Sequence, residues 1–169
     1  MNFEKIVYNH KDEIVKTFQE LLQIPSVLDE SDASVGAPFG NNIRKALEYM
    51  LAKGKEDGFE VLNDEGYAGR ISYKCGNQKE SVGILCHLDV VPEGNNWTYP
   101  PYEARIVDGK IFARGTTDDK GPTIACYYAL KFIKETNIKL KKEIQIILGT
   151  DEETGWRGVN HYFKKYEMP

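Results

Sequence analysis

Two short apolar segments, each followed by imidazole or acidic side chains, constrain the fold of this chain more than any other feature. SVGILCH (81–87) ends in a histidine and is followed by Asp89, and EIQIILG (143–149) is followed by Asp-Glu-Glu at 151–153. The first segment is apolar on both faces, which is typical of a central strand in a sheet covered on both sides. We therefore predict two buried strands that both end in polar groups.

The remaining pattern predicts helices and strands in alternation. Apolar spacing and turn residues indicate helices over 3–23, 43–51 (broken by Gly54 and Gly58), 123–135 and 154–166, strands at 59–63 and 69–75, and a hairpin around Asp108-Gly109. Residues 26–40 are rich in Ser, Asp, Gly and Pro and are predicted to form a loop. This order predicts an α/β fold with helices on both faces of one sheet.

Composition excludes several classes of protein. The formal net charge is −4, which argues against a nucleic-acid partner. No apolar stretch approaches the ~20 residues that span a bilayer, and the charged N-terminus lacks the apolar core of a signal peptide. The three cysteines (Cys75, Cys86 and Cys126) form no CxxC motif and are interpreted as reduced thiols. We expect a cytoplasmic protein with no membrane partner.

The polar residues at the strand ends predict a metal site. Ligands of open α/β sheets bind beyond the carboxyl ends of the strands, and Asp118-Asp119 adds carboxylates where a loop turns into a helix. One imidazole and several carboxylates suit zinc or a similar divalent ion. Asp89 lies two residues after His87, so its carboxylate can hold the second ring nitrogen of His87 and orient the ring. Cys86 adjoins His87 and could also bind metal, but in a strand its side chain would point to the opposite face, so we predict a buried thiol.

Each of these residues also has a simpler interpretation. His87 alone could be a hydrogen-bonded polar residue at a strand end, and Asp118 alone could cap a helix. Glu152 and Glu153 alone could be an acidic helix start that the helix dipole favours. These separate interpretations leave unexplained why all the groups follow buried strands or begin a helix.

Three motifs carry a resemblance to a known family. HLDVVP (87–92), ARGTTDDKGP (113–122) and GTDEETG (149–155) resemble, in order and spacing, the signatures of the co-catalytic zinc hydrolases. That family includes carboxypeptidase G, aminoacylase and succinyl-diaminopimelate desuccinylase, and the segments are most similar to those of PepV-type (Xaa-His) dipeptidases. The resemblance implies a three-layer α/β/α domain of the phosphorylase/hydrolase-like type with a mixed, largely parallel sheet.

The resemblance also implies a role for each site residue. His87 would bind one zinc, Asp118 would bridge two zincs, and Glu153 would bind the second, with Mn²⁺ or Co²⁺ as possible substitutes. Glu152 would be the general base, and Asp89 would orient His87. The resemblance also implies that the peptide bond between Asp118 and Asp119 is cis. The implied substrate is a small peptide, and the oligomeric state is left open.

Two parts of the family pattern are not found in this chain. The family's third ligands, one acidic residue and one histidine, lie downstream of the matched segment, as does a lid domain; His161 lies in the wrong place for a ligand. We therefore expect 1–169 to be the N-terminal portion of the catalytic domain of a zinc metallodipeptidase, inactive by itself. An N-acyl amino acid deacylase and a non-catalytic metal- or partner-binding fragment remain as alternatives.

Overall fold

The computed structural model describes residues 2–169, which contain a four-stranded sheet, a separate two-stranded hairpin and five α-helices. The helices are α1 (Phe3–Asn9), α2 (Lys11–Leu22), α3 (Asn41–Glu56), α4 (Lys120–Glu135) and α5 (Arg157–Lys165). The strands are β1 (Glu60–Asp64), β2 (Ala68–Tyr73), β3 (Ser81–His87), β4 (Arg105–Val107), β5 (Lys110–Phe112) and β6 (Glu143–Gly149). A single 3-10 turn, Glu30–Asp32, interrupts the predicted loop.

The strand order in the main sheet is β1-β2-β6-β3, and its register places the ends of β3 and β6 side by side. β3 runs parallel to β6 with His87 opposite Gly149, whereas the β1–β2 and β2–β6 pairings are antiparallel. The mixed sheet confirms the predicted fold class. We expected a largely parallel sheet, but only the β3–β6 pairing of this sheet is parallel within residues 2–169. The parallel pair brings the polar residues that follow both strands to one edge of the sheet.

Helices cover both faces of the sheet and complete the three predicted layers. Ile71 and Ile146 belong to the main core with residues of α2, α3 and α4. Ala68 and Ile147, which alternate with them along β2 and β6, pack against Tyr162 of α5 on the opposite face. Side chains on the two faces of the same two strands therefore belong to two separate apolar clusters.

The prediction that 81–87 is a central strand covered on both faces is wrong for the described residues. β3 lies at the edge of the sheet, and within residues 2–169 no strand pairs with its outer side. Val82 and Leu85 are 48% and 46% exposed. The run is apolar on both faces, but apolar composition does not show whether a neighbouring element covers it.

Two predicted helix boundaries also differ in the structure. The helix expected over 3–23 is two helices that meet at His10. Gly54 does not break α3 but lies inside it, where an added Cβ would come within 3.0 Å of a methyl group of Val61. Gly54 is therefore a packing residue, and α3 ends just before Gly58, whose φ is +72°.

The hairpin is confirmed at the predicted turn. β4 and β5 are antiparallel, and both central residues of the connection have positive φ, 49° at Asp108 and 74° at Gly109. Positive φ at both positions is the geometry of a type I′ turn.

The membrane and cysteine expectations can also be compared with the structure. Among the helices of residues 2–169, none combines the length and the apolar character that a bilayer crossing requires. Cys75, Cys86 and Cys126 are free thiols, and Cys86 is buried as predicted.

Candidate metal centre

His87 is the last residue of β3, and three contacts with neighbouring aspartates fix its position. It is buried, and its Nδ1 donates to the backbone carbonyl of Asp89 at 3.0 Å. Its Nε2 lies 2.9 Å from Oδ1 of Asp118, and its backbone N–H donates to the carboxylate of Asp119 at 3.1 Å. These contacts fix the ring so that Nε2 faces the acidic residues.

Asp89 is buried directly behind His87 and connects it to the segment after β6. The two carboxylate oxygens of Asp89 accept the backbone N–H groups of Glu152 and Glu153, each at 3.0 Å. The nearer oxygen lies 3.5 Å from Nδ1 of His87. The predicted contact between the Asp89 carboxylate and the ring is therefore longer than the one made by the Asp89 carbonyl, and the carboxylate mainly holds the glutamate segment.

Asp118 precedes α4 and points toward His87 rather than capping the helix. Asp119 occupies the cap position, and no side chain caps the helix there. The bond between the two aspartates is cis, as the resemblance implied. The helix-cap interpretation of Asp118 is therefore not supported by the structure.

The predicted metal ligands converge in space. His87, Asp118 and Glu153 each offer one ligand atom, and these atoms lie within 4.8 Å of one another. Glu152 faces the same place, with a carboxylate oxygen 3.7 Å from Nε2 of His87. The structure thus brings together all the residues that the sequence singled out, with Asp89 beneath them.

A cleft of about 300 Å³ opens beside this cluster. His87, Asp118 and Glu152 line its polar side, and Leu85 and Trp156 are among the apolar residues that line it. The Glu152 side chain, about one third exposed, reaches the cleft from the segment after β6. The carboxylate of Glu152 can therefore meet a molecule that enters the cleft.

The electrostatics of the cluster favour a bound cation. Burial alone would lower the pKa of His87, but the carboxylates of Asp89 and Asp118 outweigh it and raise the pKa to about 9. Burial and the nearby negative charge of Asp118 raise the pKa of Glu153. The site gathers more negative charge than its own groups balance, and its nitrogen and oxygen donors suit a divalent metal ion.

His10 and His161 lie outside the cluster. His10 hydrogen-bonds the carbonyl of Ile6, and His161 lies 2.9 Å from the buried carboxylate of Asp64 while stacking on Tyr67. Each is partly buried and bonded to neighbouring protein groups. The choice of His87 as the ligand histidine is unaffected.

Two residues beside Asp118 make supporting contacts that the sequence did not predict, although Asp119 was already counted among the site's carboxylates. Asp119 binds the backbone of His87, and the fully buried Lys120 donates to the carbonyls of Leu21 and Ile24. Burial lowers the pKa of Lys120 to about 7, against the opposing effect of the Asp89 charge. The only sequence signal for these residues was their position beside Asp118.

The fold and the cluster together define an α/β protein with a candidate divalent-metal site at the ends of two parallel strands. Comparison with known proteins identifies the family. Residues 83–168 match the model of peptidase family M20/M25/M40. The chain therefore belongs to peptidase family M20/M25/M40.

Similar sequences extend along the whole chain. A Bacillus subtilis (strain 168) protein named "Putative dipeptidase YtjP" is 47% identical over 169 residues, covering 100% of this chain and 36% of the relative. A Staphylococcus epidermidis protein named "Putative dipeptidase" is 45% identical over 163 residues, covering 96% of this chain and 34% of the relative. The chain thus spans about a third of the length of the curated relatives it matches.

Solved structures share the fold. Human carnosine dipeptidase 1 matches with a TM-score of 0.77 and 24% identity, over 95% of this chain and 36% of that one. The dipeptidase Dug1p of Saccharomyces cerevisiae matches with a TM-score of 0.78 and 18% identity, over 94% and 36%. At this identity the likeness establishes the three-layer fold.

Proposed function

We propose that the full-length protein hydrolyses the amide bond of dipeptides in a metal-dependent reaction. The observation that carries this proposal is the convergence of His87, Asp118 and Glu153 within 4.8 Å, with Glu152 facing the same cleft. The relatives in Bacillus subtilis and Staphylococcus epidermidis are both named "putative dipeptidase", and these names support the choice of substrate.

The proposed cofactor is a pair of zinc ions. His87 and Asp118 would hold one ion, and Asp118 and Glu153 would hold the other. When bound, such a pair lowers the pKa of an attacking water and polarises the amide carbonyl. The donor set fits this use, because it offers one imidazole nitrogen and carboxylate oxygens from two elements.

Glu152 is the proposed general base. Its carboxylate opens toward the cleft, while its backbone N–H is held by the buried carboxylate of Asp89. The side chain would accept a proton from the attacking water and deliver it to the departing amine. Asp89 holds the ring of His87 through its backbone carbonyl and would keep the ring in place during this exchange.

Residues 1–169 are proposed to be the N-terminal portion of the catalytic domain. The rest of the full-length protein would supply one acidic and one histidine ligand, together with a lid over the substrate. The proposal is supported by the Bacillus subtilis relative, which matches this whole chain and is almost three times its length. A small peptide is the proposed substrate and the cytoplasm the proposed compartment, the latter supported by the three free thiols.

The test is a side-by-side assay of the full-length protein. Dipeptides and N-acyl amino acids are supplied at equal concentrations, and the bound metal is counted in the same preparation. We expect dipeptide hydrolysis with two metal ions per chain. Preferential hydrolysis of N-acyl amino acids would support the deacylase alternative, and bound metal without hydrolysis of either class would support a non-catalytic role.

A further inference from the structure

Arg157, at the start of α5, is bound through its guanidinium group to the carboxylate of Asp151. Nε lies 2.8 Å from one carboxylate oxygen and Nη2 lies 2.9 Å from the other. The backbone N–H of Arg157 donates to the same carboxylate at 3.0 Å. The Asp151 side chain is 0% exposed, so this two-point contact joins a buried anion to the first turn of a helix.

The backbone between these two residues closes on Asp151 as well. The carbonyl of Asp151 accepts the N–H groups of Gly155 at 3.2 Å and Trp156 at 2.7 Å. Five hydrogen bonds therefore converge on one residue, and residues 151–157 form a closed loop. We call the Asp151–Arg157 contact the clamp and residues 151–157 the clamp loop.

Arg157 is also fixed from its outer side. Its Nη1 donates to Glu30 at 2.8 Å, and its guanidinium lies over the ring of Phe39 at 4.9 Å from the centroid. The clamp loop is thereby joined to the 26–40 segment, which is distant in sequence. An arginine suits this position because its planar group can bind two carboxylates and stack on a ring at once.

The clamp loop carries both glutamates of the candidate site. Glu152 and Glu153 are held at their backbone nitrogens by Asp89, and the loop that presents their side chains is closed by the clamp. Without the clamp, the loop would be fixed by the Asp89 contacts and by the backbone hydrogen bonds of Gly155 and Trp156 to Asp151. A small displacement of a reacting group is costly, since about 1 Å can reduce a rate by about 10²-fold.

We propose that Arg157 is a positioning residue, which holds the clamp loop so that Glu152 meets the cleft and Glu153 meets His87 and Asp118. The inference rests on the proposed function for its kinetic consequences. It also predicts a weaker metal site and a looser loop, and neither of these depends on the choice of substrate.

The experiment compares Arg157→Met and Arg157→Lys in the full-length protein. We expect Arg157→Met to lower kcat by about 10- to 100-fold with little change in KM, and to weaken binding of zinc added as its chloride. Arg157→Lys should be intermediate, because an ammonium group cannot reproduce the two-point contact. Turnover is expressed per folded molecule, so that a loss of folded protein does not count as a loss of rate.

Lys165→Met is the matched control. Lys165 lies on the same helix and is bound to the buried carboxylate of Asp64 at 2.9 Å, and its hydrogen bonds and ion pairs within residues 2–169 do not include the clamp loop. This variant should lose some stability while keeping wild-type kcat and zinc affinity. The contrast separates positioning of the glutamates from general support of α5.

A fluorescence measurement tests the clamp independently of catalytic activity. The chain has two tryptophans, so Trp97→Phe leaves Trp156 in the clamp loop as the reporter within 1–169. In a full-length protein whose other tryptophans are also replaced, Arg157→Met should lower the fluorescence anisotropy of Trp156.

The inference is overturned if Arg157→Met keeps the wild-type kcat, zinc affinity and anisotropy. It is also overturned if Arg157→Met and Lys165→Met lose kcat equally. If the wild-type protein cleaves no dipeptide, the proposed function fails, and zinc affinity and anisotropy still decide whether the clamp acts.

Discussion

The carboxylate of Asp89 lies 3.0 Å from the backbone nitrogen of Glu152, and this hydrogen bond joins the end of β3 to the segment after β6. The second oxygen makes the same contact with Glu153, and the backbone carbonyl of Asp89 accepts from the ring of His87. One buried residue therefore fixes the candidate imidazole ligand and both candidate glutamates relative to each other.

Replacing Asp89 with alanine should disrupt the site more than replacing it with asparagine. Alanine leaves two partly buried N–H groups without their acceptor, while the amide oxygen of asparagine can still accept from one of them. In the full-length protein we expect Asp89→Ala to reduce metal affinity or turnover by about 10- to 100-fold, the usual effect of losing a residue that supports a metal ligand. Steady-state kinetics and calorimetric zinc titration measure this, and equal effects of the two variants would contradict it.

Glu152→Gln should abolish turnover while leaving metal bound. The amide cannot take a proton from water, and loss of general base catalysis costs about 10²- to 10⁴-fold. Glu153→Gln is the comparison variant, since it removes a proposed ligand and should reduce the bound metal. Kinetics and metal analysis on the same samples separate the two roles. If Glu152→Gln loses metal in proportion to activity, Glu152 is a ligand rather than a base.

The 169-residue chain alone should bind zinc poorly. Each proposed ion has two ligands here, counting Asp118 for both, whereas a catalytic zinc normally has three protein ligands and a water. Calorimetry of 1–169 beside the full-length protein tests this difference. Two tight sites in the short chain, with dipeptide turnover near that of the full-length protein, would show that no further ligands are needed.

A separate prediction concerns acid stability through Lys131 of α4. Burial would raise the pKa of Asp57, but hydrogen bonds from Tyr127 and Lys131 outweigh it and lower the pKa. A lowered carboxylate pKa stabilises the fold above the unfolded value of about 4, and this stabilisation is lost as the pH falls through the lower, folded-state value. Lys131→Met should therefore cost about 1–3 kcal/mol at neutral pH and flatten the loss of stability on acidification.

Thermal unfolding of the full-length protein between neutral and acidic pH measures the effect of Lys131→Met. Lys142→Met is the control, because Lys142 pairs with Glu80 in a contact whose side chains are both about half exposed or more. An exposed pair contributes roughly 0–1 kcal/mol, so this control should leave the pH profile nearly unchanged. If the stability of wild type and of Lys131→Met falls in parallel as the pH is lowered, Lys131 does not contribute to the acid dependence of stability.

Much of the fold could be predicted from local patterns, because periodicity and turn residues act over short distances. The Asp108-Gly109 hairpin is confirmed on this basis. The position of β3 was not predictable in the same way. Its apolar run indicates a strand suited to burial, but the neighbours of a strand are set by the topology, and here β6 is its one partner among residues 2–169.

The candidate site could be predicted because its main residues directly follow strands or begin a helix. His87 and Glu153 are brought together by one parallel pairing, and general rules for α/β sheets anticipate this. The contacts that hold them were not visible in the sequence. The carboxylate of Asp89 reaches Glu152 and Glu153 across 63 and 64 positions, and Arg157 reaches Glu30 across 127.

Metal dependence of dipeptide hydrolysis by the full-length protein tests the central claim most directly. The protein is stripped with a chelator, its metal content is measured, and zinc is then returned stepwise while turnover is followed. The account predicts no turnover without metal and a return of activity that saturates near two zinc ions per chain. Full activity in protein shown to contain no metal would contradict it.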